Sequence, residues 1–199
     1  MELNSCWRGT KEAKINDYED EVLRISELPE SEFKSYNVPI YFTTHDYLDE
    51  PRKDDDDEMY IWTYEIGRPN ECKPTIVMIH GYGGSGMIFY RAYTELAKRY
   101  HVIFMDLLGM GRSARPSFYA RTAEESENFF VNSLEKWRQT MELEKMILIG
   151  HSFGGFVSGR YTAKYPQNVA KAVFLSSLGK LPRKHKSSKY ITLLNPSSS

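Results

Sequence analysis

Four short apolar runs in the second part of the sequence are the feature that most restricts its fold. The runs are TIVMIH at 75–80, VIFM at 102–105, MILIG at 146–150 and AVFLS at 172–176. Each has the length of a strand and no polar alternation, which indicates a strand buried on both faces. Segments with helical spacing separate them, at 87–100, 122–141 and 153–165. This alternation predicts an α/β fold, a mostly parallel central sheet with helices on both faces.

The sequence before these runs predicts two further strands, at 38–44 and 59–66. No helical segment separates them, so we expect an antiparallel hairpin at one edge of the sheet. The run RKDDDDE at 52–58 between them predicts a solvated loop. A metal site is disfavoured there, because no His or loop glycine accompanies the carboxylates.

The distribution of charge suggests three regions within an overall charge of −1. Residues 1–37 predict an acidic, weakly structured leader in which one helix is possible over 18–33. Residues 38–181 hold the predicted α/β domain. Residues 182–199 form a basic, Ser-rich tail, for which we expect disorder and no regular packing after Gly179.

Composition excludes several classes of protein. With 26 basic and 27 acidic residues, the chain does not suit nucleic-acid binding through overall basicity. Its two cysteines cannot form a disulfide framework or a zinc site, so a cytoplasmic setting without metal or cofactor is expected. No apolar run is long enough to span a bilayer, and the N-terminus lacks the apolar core of a secretory signal.

The sharpest motif is GHSFGG at 150–155, in which Gly150, Ser152 and Gly154 fit G-x-S-x-G. The motif follows the apolar run MILIG and opens a helix at Phe153, which is the context of a nucleophile elbow. Such a turn projects a serine hydroxyl above the sheet, and its small neighbours let strand and helix pass closely. The sequence therefore predicts Ser152 as a nucleophile.

A second motif, HGYGG at 80–84, ends the run TIVMIH. Backbone N–H groups of such a loop can stabilise a tetrahedral oxyanion, and we expect Tyr82 and Phe153 to supply the two donors. The rival interpretation is a dinucleotide-binding turn, because the loop also fits G-x-G-x-x-G and Asp106 ends the next strand. The elbow at Ser152 decides against that interpretation, since a dinucleotide-binding unit does not require one.

For the remaining polar residues, we expect structural roles. Asp106 and Arg112 are expected to brace the glycine-containing loop DLLGMGRS at 106–113. His101 and Asp106 form an H-x-x-x-x-D pattern, which we consider accidental because a buried strand separates them. We expect His151 to pack beside Ser152 without acting as its base, and His45 to lie on a surface turn.

The motifs HGYGG, DLLGMGRSARP, ESENFFVNSLEKWR and KMILIGHSFGGF resemble the α/β-hydrolase fold superfamily over residues 38–182. They are most similar to the subfamily of lipid-droplet-associated and N-acyl-phospholipid-cleaving hydrolases. The resemblance implies a protein of the cytosol or of a lipid-droplet or membrane surface, acting on acyl esters of lipids as a hydrolase or acyltransferase. It also implies Ser152 as nucleophile and Tyr82 and Phe153 as oxyanion donors.

The sequence departs from that pattern after Ser152. It contains no Asp or Glu beyond this residue and a single His, His185, inside a basic run. The acid and histidine of a Ser–acid–His triad are therefore not present. We expect an incomplete hydrolase domain that lacks its last strands and is inactive in this 199-residue form. The alternative is a non-catalytic pseudo-hydrolase that regulates lipid metabolism by binding lipid or a lipase.

Overall fold

The computed structural model describes residues 12–52, 59–67, 73–178 and 191–194. A seven-stranded sheet in the order β1-β2-β4-β3-β5-β6-β7 organises these residues. The strands are β1 (Phe33–Ile40), β2 (Met59–Ile66), β3 (Thr75–Ile79), β4 (His101–Met105), β5 (Met146–His151), β6 (Val169–Leu175) and β7 (Ile191–Leu194). The four apolar runs of the sequence are thus β3, β4, β5 and β6.

Pairing in the sheet is parallel from β4 through β3, β5 and β6 to β7. Strands β1 and β2 form an antiparallel hairpin, and β2 pairs antiparallel with β4. The predicted mixed sheet with an N-terminal hairpin is confirmed. Two successive antiparallel pairings make β1 parallel to β4, so the end of β1 lies at the same edge as the carboxyl ends of the parallel strands.

Four α-helices cover the two faces of the sheet, as the sequence predicts. They are α1 (Glu12–Ser26), α2 (Tyr93–Ala97), α3 (Ala123–Thr140) and α4 (Phe153–Lys164). Alternate residues of β3 enter two separate apolar clusters, Val77 and Ile79 with α3 and α4, and Ile76 and Met78 with α2. A capping box at Thr122 begins α3, because its hydroxyl accepts the Glu125 N–H.

From residue 12 onward, where the structure describes it, the acidic leader is more ordered than the sequence predicts. Helix α1 begins and ends earlier than expected, since Glu27 adopts a φ of +56° and Pro29 follows. Strand β1 begins at Phe33, five residues before the predicted start, because all eight of its residues pair with β2. The predicted boundary between leader and domain at residue 38 therefore falls within a strand.

The predicted helix over 87–100 is divided into a 3₁₀-helix, Gly86–Ala92, followed by the short α2. The hydroxyl of Tyr93 donates a hydrogen bond to the Gly86 carbonyl at 3.0 Å. That carbonyl would otherwise accept the N–H of Tyr90 in an α-helix, so the side-chain contact favours the tighter winding.

Strand β7 corrects the expectation that residues 182–199 lack regular packing. Its four residues, ITLL, pair in parallel with β6 from Ala172 to Leu175. Apolar and β-branched residues suit a strand, and the open edge of β6 offers unpaired backbone groups. The rest of that tail, the charge run at 53–58 and His185 lie outside the described residues. In the ranges that the structure describes, no helix is long and apolar enough to cross a membrane.

Candidate active site

Ser152 lies at the turn between β5 and α4 in a conformation that residues with a side chain rarely adopt. Its φ is +53° and its ψ is −115°. Hydrogen bonds on both sides hold this turn: the Ser152 N–H donates to the Leu175 carbonyl at 2.9 Å, and the Ser152 carbonyl accepts the Gly155 N–H at 3.0 Å. A strained residue persists only where its surroundings fix it in this way, and such residues cluster at functional sites.

The two glycines of G-x-S-x-G are required by close packing at this turn. A Cβ added to Gly154 would lie 2.3 Å from the carbonyl oxygen of His80, and one added to Gly150 would lie 2.3 Å from that of Gly154. Both distances are far below van der Waals contact. Gly154 therefore lets α4 begin directly against the end of β3, and Gly150 lets the end of β5 pack against α4.

The loop after β3 contacts the elbow. A Cβ on Gly81 would lie 3.2 Å from the Cβ of Ser152. The Gly84 N–H donates to the Gly81 carbonyl at 3.1 Å and Gly83 has a φ of +67°, as at the third position of a type II turn. The rings of Tyr82 and Phe153 meet edge to face with centroids 6.2 Å apart. The two residues expected as oxyanion donors are thus neighbours in space as well.

His80 connects the loop after β3 to the loop after β4. The Leu107 N–H donates to His80 Nε2 at 2.9 Å, so the ring proton resides on Nδ1, which lies 2.6 Å from the Gly81 carbonyl oxygen. Burial lowers the pKa of His80, although the bond to Gly81 opposes this shift. The ring is therefore a neutral, fully bonded structural group.

Asp106 braces the same two loops from below. Its Oδ1 accepts the Gly86 N–H at 2.6 Å and its Oδ2 accepts the Arg112 N–H at 2.8 Å. Burial raises the pKa of Asp106 to about 7, and these two backbone hydrogen bonds limit the shift. The side chain is fully buried, so it is not available to the ribose of a dinucleotide. The bracing role predicted for Asp106 and Arg112 agrees with these contacts.

Comparison with known proteins identifies this architecture. A sequence profile described as alpha/beta hydrolase fold matches residues 74–193. The chain belongs to the α/β-hydrolase fold family. Solved α/β-hydrolases share its fold at low sequence identity. A bacterial membrane phospholipase A is 22% identical with a TM-score of 0.64, the match covering 87% of this chain and 47% of that one. Naproxen esterase from Bacillus subtilis is 20% identical with a TM-score of 0.60, covering 85% and 52%.

Curated relatives of the hydrolase chain carry names from lipid metabolism. A 1-acylglycerol-3-phosphate O-acyltransferase from Arabidopsis thaliana is 46% identical over 109 residues, 55% of this chain and 26% of the relative. A human (lyso)-N-acylphosphatidylethanolamine lipase is 40% identical over 119 residues, 60% of this chain and 34% of the relative. The chain therefore spans between about a quarter and about a third of the length of these relatives.

The structure describes three further histidines, His45, His101 and His151, in different surroundings. His101 Nε2 lies 2.6 Å from Glu65 Oε1, at the opposite end of β4 from Asp106, so the H-x-x-x-x-D pair does not converge. His45 is exposed on a 3₁₀ turn, as predicted. His151 Nδ1 is buried and has no hydrogen-bond partner among the described residues, and its ring packs edge to face against Phe89.

Sequence reasoning missed the aromatic residues that surround the elbow of this hydrolase fold. Phe130 of α3 lies 5.0 Å from Phe153, and Phe118 of the preceding loop lies 6.5 Å from Phe130, both measured between ring centroids. In the sequence, FF at 129–130 appears only as an apolar pair within an amphipathic helix. The proximity of these rings to Ser152 depends on how α3 packs against α4, which no local pattern encodes.

Proposed function

We propose that this chain carries the nucleophile of a serine hydrolase or acyltransferase that acts on acyl esters of lipids. The observation that carries the proposal is the positive φ of Ser152 between β5 and α4, with glycines where side chains cannot fit. A strained serine at a strand-to-helix turn is the geometry by which α/β-hydrolases present a nucleophile.

The proposed chemistry begins when Ser152 Oγ attacks the ester carbonyl. The N–H of Phe153 is among the first four of α4, which have no partner within the helix, and the N–H of Tyr82 precedes the turn at Gly83. We assign these two donors to the oxyanion. Collapse of the tetrahedral intermediate breaks the ester C–O bond. The leaving oxygen takes up the proton that a base had removed from Ser152 Oγ, so that an alcohol departs and an acyl-enzyme remains. Water then completes hydrolysis, or the hydroxyl of another lipid accepts the acyl group.

As part of the same proposal, we expect that the 199-residue chain does not hydrolyse esters by itself. Attack by Ser152 requires a base for the hydroxyl proton and an acid that orients the base. The sequence has no Asp or Glu after Ser152. Among the described histidines, His80 and His101 have both ring nitrogens within hydrogen-bonding distance of other groups.

The names of the relatives support a lipid substrate. They include an O-acyltransferase of 1-acylglycerol-3-phosphate and a lipase of (lyso)-N-acylphosphatidylethanolamine. From these names we infer that the ester substrate of this chain is a glycerophospholipid. We also propose that the protein works in the cytoplasm at a lipid-droplet or membrane surface. Fractionation of cells expressing a tagged chain measures the second point, with enrichment in the lipid-droplet or membrane fraction expected.

Labelling with a fluorophosphonate probe tests the proposal. We expect the 199-residue chain to label weakly, and a longer form that supplies an acid and a histidine after Ser152 to label strongly. Ser152→Ala in the longer form should abolish labelling, whereas Ser158→Ala, which alters a buried serine bonded to Gly154, should retain it. Turnover of p-nitrophenyl esters by the 199-residue chain, lost in Ser152→Ala, would show that it is active without the missing pair.

A second candidate function is non-catalytic regulation, in which the fold binds lipid or a lipase without turnover. Between Ser152 and Ser199 the sequence contains no Asp or Glu, so the same two forms of the chain also test this candidate. Strong labelling of Ser152 in the longer form argues against this candidate. Absent labelling in both forms, together with saturable lipid or lipase binding, supports it.

A further inference from the structure

Three aromatic side chains extend from the nucleophile elbow across the first part of α3. Phe153 follows Ser152 and meets Phe130 edge to face at a centroid distance of 5.0 Å. Phe130 in turn lies 6.5 Å from Phe118, with their rings tilted by 36°. We name these three residues the aromatic row. Tyr82 contacts its elbow end, 6.2 Å from Phe153.

The aromatic row is accessible to solvent. Phe118 is 51% exposed, and Phe130 and Phe153 pack against the core but are only partly buried. Contiguous exposed aromatic surface beside a candidate nucleophile costs solvation free energy, so it indicates a surface that is covered when the protein works.

The far end of the row is held in place by the loop around it. The Ala114 N–H donates to the Tyr60 carbonyl at 3.0 Å, and the Arg121 N–H donates to Glu125 Oε2 at 2.8 Å. Phe118 also packs edge to face against the buried Phe129 at 5.0 Å. A surface ordered before binding loses little conformational freedom when a ligand arrives.

The chemistry of the row suits a linear hydrocarbon. Its three side chains carry no polar atom. Phe156 stacks on Phe153 at a centroid distance of 6.1 Å, and the Arg160 guanidinium, paired with Glu127, lies 5.3 Å from the Phe156 ring centroid. The row begins at the residue that follows Ser152. An acyl chain whose ester carbonyl lies at Ser152 would have its first methylenes near Phe153 and its methyl end further along.

We propose that the aromatic row binds the acyl chain of the ester attacked at Ser152, with the carbonyl end at Phe153 and the methyl end at Phe118. This inference rests on the proposed function, because it takes Ser152 as the origin of the chain. The row then discriminates long acyl chains from short ones, and Phe118 contributes only to the binding of the long ones.

Binding of non-hydrolysable alkylglycerol ethers to the 199-residue chain tests the assignment. The probes are 1-O-octylglycerol and 1-O-hexadecylglycerol, used below their critical micelle concentrations to displace a fluorescent fatty acid. We expect tighter binding of the hexadecyl ether. Phe118→Ala should weaken that binding by about tenfold and leave the octyl ether within about twofold, whereas Phe130→Ala should weaken both.

Two variants serve as controls. Tyr18→Ala removes an exposed aromatic side chain of α1, away from the row, and should change neither affinity. Phe118→Leu keeps apolar area and should retain most of the hexadecyl affinity. Thermal unfolding of each variant checks folding, and Phe130→Leu replaces Phe130→Ala if the latter does not fold.

Equal affinities for the two ethers, or equal weakening of both by Phe118→Ala, would overturn the proposal. So would a chain that binds neither ether but dimerises until Phe118→Ala makes it monomeric, because a second copy would then cover the row. Ser152→Ala should bind both ethers as the parent chain does. Ether binding can therefore fail while fluorophosphonate labelling succeeds, or the reverse, and the two proposals are judged separately.

Discussion

At the scale of single residues, two residues of the site adopt unfavourable states, one in its backbone conformation and the other in its burial. Ser152 has a positive φ although it is not glycine, and Asp106 is a fully buried carboxyl group. Hydrogen bonds keep each in place. The Ser152 N–H donates to the Leu175 carbonyl and the Ser152 carbonyl accepts the Gly155 N–H, while Asp106 accepts the N–H groups of Gly86 and Arg112. These costs to stability can be measured without any assay of activity.

Substitution of Ser152 measures the strain at the elbow. We expect Ser152→Gly to have an unfolding free energy about 1 kcal/mol higher than Ser152→Ala, because alanine keeps the Cβ that the positive φ disfavours. Urea unfolding provides the measurement. Ser133, buried within α3, supplies the matched control, and there the order should reverse, with glycine less stable than alanine. If Ser152→Gly were less stable than Ser152→Ala, as expected for the same two substitutions at Ser133, the backbone at Ser152 would not be strained.

The raised pKa of Asp106 predicts a specific pH dependence of stability. An unfolded Asp titrates near pH 4, whereas burial raises the pKa of Asp106 to about 7 in the folded chain. Between these values the folded chain holds a proton that the unfolded chain has released, so the unfolding free energy falls as pH rises through the window. Below the window the penalty is absent, and above it the penalty is complete.

Comparison with Asp106→Asn isolates this contribution, because asparagine does not titrate. The unfolding free energy of the parent chain minus that of the variant should fall from pH 4 to about pH 7 and then level off. Urea titrations at five pH values across the range give the curve. A difference that is constant, or that grows with pH, would be incompatible with the raised pKa of this carboxyl.

At the scale of elements, the sequence predicted the buried strands well and the first helix poorly. Strands such as β3 and β5 are continuous apolar runs, a pattern that few alternative structures share. Helix α1 is mostly exposed, and its position depends on one buried acid, Glu19, whose partners lie 45 and 93 residues further along. Local patterns in the sequence carry no information on contacts of that range.

The site divides in the same way. The positions of Ser152, Tyr82 and Phe153 beside one another were predictable because motif and secondary structure agree around them, and their catalytic roles stay predictions. The proximity of Phe118 and Phe130 to the elbow was not predictable, because it arises from the packing of a loop and α3 against α4. The sequence also did not reveal that His80 connects the loops after β3 and β4 through its bonds to Gly81 and Leu107, because a histidine that ends a buried strand can bond to several different groups.

Glu19 should anchor α1 to the domain. Its carboxylate accepts hydrogen bonds from the Tyr64 hydroxyl at 2.9 Å and from Arg112 Nη1 at 2.7 Å, and the Arg112 guanidinium stacks 3.8 Å from the Trp62 ring centroid. Burial raises the pKa of Glu19, and these hydrogen bonds oppose the shift. Glu19→Ala leaves Arg112 without this partner, so we expect a loss of about 2 kcal/mol in unfolding free energy.

Proteolysis separates detachment of α1 from general destabilisation. In Glu19→Ala, trypsin should cut at Arg24 while the rest of the domain stays intact. Glu21→Gln is the matched control, because it breaks an exposed ion pair with Arg24 on the same helix and should leave stability unchanged. Equal behaviour of the two variants would show that Glu19 does not hold the helix.

At the scale of the whole molecule, exposed apolar side chains concentrate at one edge. Seven large ones are exposed among the described residues. Five follow the ends of β1, β3, β4 and β6, at the edge that also holds Ser152: Tyr41, Tyr82, Ile88, Phe118 and Leu178. The other two belong to α1. Most of the exposed large apolar side chains of the described residues therefore lie at the edge where we propose that lipid binds.

The last strand should protect the sheet from association. Strand β7 covers the edge of β6, and an uncovered edge of apolar residues is a site of aggregation. In a parallel pair, only alternate residues of β7 direct an N–H to β6, so of Thr192→Pro and Leu193→Pro one should break the ladder. That variant should scatter light more strongly at equal concentration.

Leu193→Val serves as the control, because it keeps the backbone N–H and the strand preference. It should remain as monomeric as the parent chain in size-exclusion chromatography. Monomeric behaviour of both proline variants would mean that the pairing of β7 does not protect β6.

The position of His80 has a consequence for how the chain tolerates change. The Gly81 carbonyl accepts hydrogen bonds from His80 Nδ1 and from the Gly84 N–H. A trans peptide group is planar, so its carbonyl and the following N–H point in opposite directions. The Gly81 carbonyl and the Tyr82 N–H belong to the same peptide group. The hydrogen bonds that fix the direction of this carbonyl therefore also fix the direction of the Tyr82 N–H, on the opposite side of the group. The Tyr82 side chain, 81% exposed, takes no part in this, so residue 82 can vary in identity while its main-chain donor keeps its direction.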